Sequence, residues 1–148
     1  MRKFIAILWT TVLVIFAGTA VGKVVIVERP LEWQDVAHAE GGELFNNLCA
    51  SCHGVSGRGD GQAARALDKG VPDLTVLAAK NDGVYMHNRI KLIISGEDRE
   101  IAHGSIDMPI WGQQFMYVRP GWSTFQREAF ARRKINSIDT YVESLQVY

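Results

Sequence analysis

The strongest constraint on this chain is a five-residue stretch, Cys49-Ala50-Ser51-Cys52-His53, which holds its only two cysteines three positions apart with a histidine directly after the second. One turn of helix between two such cysteines sends both sulfurs out on the same side of the backbone. That is the geometry needed to bond the two vinyl carbons of a haem, and the adjacent histidine then reaches the iron as its proximal ligand. Other uses of paired cysteines fit worse. A zinc ribbon takes four ligands, and no second cysteine pair exists. A thioredoxin-like pair wants a strand-to-helix setting, whereas here the pair runs into a glycine-rich loop over residues 54–61. One covalently attached haem c is therefore expected on Cys49, Cys52 and His53.

A chain of 148 residues with 47% hydrophobic content supports one compact domain and an appendage, with no room for a second domain. Net charge is zero, but three of the 16 basic residues, Arg2, Lys3 and Lys23, lie in or beside an N-terminal apolar segment. The remainder is thus slightly acidic, which argues against a nucleic-acid partner. With both cysteines committed to haem, no disulfide framework is available.

The N-terminus reads as an export segment. After Met1-Arg2-Lys3 an uncharged run extends from Phe4 to Gly22 and resumes after Lys23 as Val24-Val25-Ile26-Val27. A cleaved signal peptide needs only about 7–15 apolar residues, with Gly18-Thr19-Ala20 as its cleavage site. A retained anchor needs about 20, which this run approaches. An uncleaved transmembrane helix over residues 1–27 is therefore expected, with the alternative of a soluble periplasmic protein after cleavage. The basic head stays cytoplasmic and places everything after Glu28 on the periplasmic side of the cytoplasmic membrane. Residues 28–39 read as a polar linker in which His38 is solvated and Trp33 is an interface anchor or surface-packed, and residues 40–148 read as the haem domain.

Within that domain the apolar spacing is helical throughout. Leu44, Phe45 and Leu48 share a face behind the side-chain-free positions Gly41 and Gly42, which admit a close-packed partner. The partner is expected to be the stretch from Thr124 to Val147, where Ile135, Ile138, Tyr141, Val142 and Leu145 form one stripe, with Thr124 as its cap and Arg132, Arg133 and Lys134 on its outer side. Val84, Ile90, Ile93 and Ile94 predict another helix ending at Ser95-Gly96.

The sixth iron position decides between electron transfer and small-molecule chemistry. Met108 is the preferred occupant, because Gly104 and Pro109 keep the stretch His103-Gly104-Ser105-Ile106-Asp107-Met108-Pro109-Ile110-Trp111-Gly112 out of regular helix. His103, His87 and Met86 remain alternatives.

Taken together, Gly41 and Phe45, the Cys49-Ala50-Ser51-Cys52-His53-Gly54 motif, Gly59-Asp60-Gly61, Pro72-Asp73-Leu74-Thr75, Met108-Pro109-Ile110-Trp111-Gly112 and a terminal helix with Tyr141 resemble a class I monohaem cytochrome c of the bacterial electron-carrier type. The resemblance implies an all-α cytochrome c fold whose first and last helices cross, His53 and Met108 on the iron, the Pro72 carbonyl accepting a hydrogen bond from His53, and Trp111 near the buried haem face or a propionate. The chain departs from simple soluble members in its N-terminal apolar segment and in residues 114–123. The function expected is one-electron transfer, as a membrane-tethered carrier or a haem subunit of a respiratory or photosynthetic complex, with redox proteins or other subunits as partners and no catalytic residue. Two other classes compete. One is an enzyme or gas sensor with a labile sixth ligand; the other is a structural haem subunit docking through Phe115, Met116, Tyr117, Trp122 and Phe125.

Overall fold

A computed structural model describes residues 31–67, 70–98, 108–117 and 119–148, with the side chains of residues 31–33 excepted. The anchor expected at 1–27, the first linker residues and His103 lie outside the described residues. Among the described residues there is no strand, and no helix is long and apolar enough to cross a membrane.

Five α-helices carry the structure: α1 (Leu31–Leu48), α2 (Ala50–His53), α3 (His87–Ser95), α4 (Trp111–Tyr117) and α5 (Thr124–Ser144), with short 3-10 turns at Gln62–Ala66, Leu74–Val76 and Ala79–Asn81. The first helix begins at Leu31, well before Glu40, so most of the stretch read as linker is helical. His38 is exposed, as expected, and in addition brings Nε2 within 2.9 Å of Ser144 Oγ and its ring to 5.4 Å from that of Tyr141.

Helices α1 and α5 form the main packing pair. They meet at Gly41, where a methyl group would fall on the backbone carbonyl of Ser137 and crowd the Cβ of Tyr141. Only glycine permits this approach, and it brings Phe45 and Ile138, 0% and 1% exposed, together in the core. Burial of each contributes about 1.5–3 kcal/mol. A polar contact secures the same crossing: Glu40 receives hydrogen bonds from Lys134 Nζ at 2.5 Å and Ser137 Oγ at 2.6 Å. Burial raises the Glu40 carboxyl, but these two bonds and the charges of Lys134 and Arg133 outweigh it and hold the group below the usual carboxylate range. Lys134 is thus turned inward, unlike the exposed Arg132 and Arg133 beside it.

Helix α5 starts with a capping box, in which the Ser123 hydroxyl accepts from Gln126 N and the Gln126 side chain accepts from Ser123 N. Ser123, and not Thr124, is therefore the cap. Helix α3 ends at Gly96, which adopts the left-handed conformation with its N–H on the Ile93 and Leu92 carbonyls. Residues 114–117 are the end of α4, and residues 119–123 lead into α5.

Candidate functional site: a cavity behind the cysteine pair

The two cysteines are one helical turn apart, as the spacing predicts. Cys49 is the single break between α1 and α2, and its carbonyl accepts from Cys52 N at 3.1 Å and His53 N at 2.9 Å. Because α2 is so short, its last carbonyls need partners from outside the helix. The glycine-rich loop supplies them: Gly59 N donates to His53 O at 2.7 Å and Gly61 N to Cys52 O at 3.1 Å. Gly59 turns with φ +79°, and a side chain there would strike the Val71 carbonyl. The loop therefore locks the histidine backbone while passing against the strand of chain that leads to Pro72.

Cys49 and His53, both buried, line an apolar cavity of about 290 Å³. Its other walls are Phe45 from α1, Leu74 and Leu77 from the loop, Ile90, Ile93 and Ile94 from α3, and Ile138 and Val142 from α5. Met108 and Met86 also line it, and Lys80 and Arg89 are its cationic members. Cys52 is partly buried and is not among the lining residues. Before any attachment, burial and then the neighbouring Cys52 push the Cys49 thiol up to about 12. The sulfur is thus a protonated thiol in this apolar setting. No group of three or more histidine, cysteine, aspartate or glutamate side chains among the described residues forms a metal site.

His53 turns Nδ1 toward the Pro72 carbonyl at 3.4 Å. That carbonyl is held by a network reaching across the sequence. Asp73 accepts from Thr75 N and Oγ1 at 2.8 and 2.7 Å, which holds its carboxyl below the usual range. Leu74 N donates to Gly57 O at 2.7 Å. Gln146 Nε2 donates to Leu74 O at 2.7 Å, its Oε1 accepts from Ala78 N at 2.9 Å, and Val147 N donates to Thr75 O at 2.8 Å.

The structure therefore brings Cys49, His53, Pro72 and Met108 together at one cavity. Trp111, at the start of α4, is not a lining residue; it packs on the core and stacks with Phe115 at 6.3 Å between ring centroids. Of the alternative ligands, His87 is directed elsewhere, with Nδ1 2.8 Å from Asp139 Oδ2 and Nε2 3.1 Å from Glu143 Oε1. Met86 does face the cavity. Sequence reasoning missed Lys80 and Arg89 as cavity residues, because a lone cation in a 3-10 turn or in the first turn of α3 gives no periodic signal. It identified the α3 stripe of Ile90, Ile93 and Ile94 but not its destination.

The donor set fits a covalently held haem: two thiols one turn apart, an imidazole oriented by a backbone carbonyl, an apolar cavity and a thioether in its wall. Residues 38–145 match the family model described as Cytochrome c. No curated protein and no solved structure matches the chain.

Proposed function

The chain belongs to the cytochrome c family and carries covalently attached haem c used for electron transfer, and from that premise we propose a one-electron carrier, or haem subunit of a larger electron-transfer complex, tethered to the membrane by its N-terminal segment. One observation supports this above the others: His53 and Met108 line the same apolar cavity as Cys49. When bound there, the haem supplies reversible one-electron exchange between ferrous and ferric iron.

The chain's own residues would do the rest. Cys49 and Cys52 would hold the cofactor through thioethers, and His53, its Nδ1 turned to the Pro72 carbonyl, would bind the metal. Met108, in the cavity wall, would supply a thioether ligand to the metal, which would favour the reduced state and leave no place for diatomic ligands. Phe45, Ile90, Ile94 and Ile138 exclude water, which raises the potential further. Lys80 and Arg89 are the cations to meet the cofactor's carboxylates. The membrane tether and the periplasmic placement are supported by the basic head and the apolar run to Val27.

The test is to extract the denatured protein with acidified organic solvent and record the reduced spectrum of the native protein under carbon monoxide. Haem should stay with the chain, and the native spectrum should not change on adding the gas. Haem leaving with the solvent would refute thioether attachment. A carbon monoxide complex at neutral pH would favour the enzyme or sensor class instead.

A further inference from the structure

Away from the cavity, the corner between α4 and α5 carries aromatic rings interleaved with guanidinium groups. Trp122 and Phe125 are 40% and 74% exposed. Trp122 meets Phe130 edge-on at 5.7 Å, Arg119 lies over both rings at 5.5 and 5.4 Å, and Arg133 lies 5.5 Å from the Phe130 centroid. Arg132 and Arg133 follow Phe125 by two helical turns and share its face of α5. Residues 119–134 hold five basic side chains and one acidic one out of 16 of each in the chain, so the remainder is acidic by four charges. Phe125 is about 20 Å along the helix axis from Ile138, the nearest α5 residue of the cavity, at roughly 1.5 Å per residue.

From this segregation of charge and exposed aromatic surface we infer that the α4–α5 corner docks an acidic patch on a protein partner, through a surface separate from the haem cavity. Protein interfaces favour arginine, tryptophan and phenylalanine over lysine. The segment's one lysine, Lys134, is turned in to Glu40 and is 19% exposed. Arg119 lies close over Trp122 and Phe130, and Arg133 over Phe130 with one edge 3.8 Å from Glu40, and a guanidinium fork held near a ring pairs well with carboxylates. A lipid headgroup layer rewards an unbroken cationic surface, and here Glu128 interrupts it 3.6 Å from Arg132. The inference rests on the electron-transfer reading and adds to it: the domain is held at one end while the cavity remains available for electron exchange.

The test uses the full chain with its haem, in gently solubilised membranes and purified. Wild type should migrate in an assembly larger than itself that dissociates as ionic strength rises, and should bind poly-L-glutamate at low salt. Combined Arg119→Gln, Arg132→Gln and Arg133→Gln should lower both by about tenfold or more, and Phe125→Ser should lower the assembly similarly. Val36→Ser, at an apolar residue 62% exposed on α1, should leave the assembly intact. Haem spectrum and potential should be unchanged in every variant, so loss of the assembly with an intact haem separates docking from electron transfer. Survival of the assembly in both corner variants, or a larger species that proves to be two copies of this chain, would overturn the inference. So would an equal loss of affinity for phosphatidylglycerol vesicles in the arginine variant, which would put this surface on lipid.

Discussion

Nδ1 of His87 lies 2.8 Å from Oδ2 of Asp139, and the Tyr85 hydroxyl donates to Oδ1 of the same carboxylate at 3.1 Å. Asp139 is 3% exposed in the middle of α5. Residues 85 and 87 thus face α5 together, and Met86 between them faces the cavity. A carboxylate outside the haem site therefore fixes how the start of α3 is presented to it.

Asp139→Ala should destabilise the haem-loaded protein by about 1–3 kcal/mol, because Tyr85 and His87 both lose their carboxylate partner and the Tyr85 hydroxyl keeps only the backbone carbonyl of residue 139, at 3.3 Å. Urea denaturation followed by far-ultraviolet circular dichroism measures it. An unchanged midpoint would mean that the contact contributes nothing to stability.

Burial, and next the charge of Asp139, push the Tyr85 phenol above the usual tyrosine value of 10.0. The unfolded chain then loses this proton before the folded one does, so stability is present in full below about pH 10 and falls as pH rises toward the folded value. Tyr85→Phe removes the titrating group. The gap between wild type and Tyr85→Phe in denaturation midpoint should therefore shrink from pH 9 to pH 11 by the stated linkage; a gap that widens over this range would contradict the assignment.

Gly41→Ala should cost at least about 1–3 kcal/mol, since the added methyl meets the Ser137 backbone and the two helices must separate. Gly42→Ala is the control. Its methyl meets only the edge of the Tyr141 ring at 3.1 Å, which can turn aside, and the loss should be clearly smaller. Thermal unfolding of the two variants side by side tests the order.

Met108→Ala should lower the reduction potential and let the reduced protein bind carbon monoxide, because the thioether that favours ferrous iron is gone. Met86→Ala and His87→Ala should leave the sixth position closed. If Met86→Ala opens it and Met108→Ala does not, the ligand is Met86, the other methionine of the cavity wall.

Much of this architecture is legible in the sequence wherever a local pattern carries it. The cysteine spacing gives the turn of helix, Gly41 gives the crossing with α5, and Gly96 ends α3 where the apolar stripe stops. The onset of α1 is not legible, because Gln34, Asp35 and Val36 are all exposed and present no apolar face to mark the helix. Ser123 and Thr124 are both competent caps, and only the return bond from Gln126 decides between them. Lys80, Arg89, the His38 contact with Ser144 and the clamp of Asp139 on His87 depend on residues far apart in the chain. No periodicity announces such contacts.

Gln146 and Val147 hold the loop whose carbonyl orients His53, although nearly a hundred residues separate them from the cysteine pair. The cradle around the imidazole therefore depends on the residues that follow α5. The chain's last residues are thus part of the wall around the imidazole, and its two ends are joined through the cofactor site.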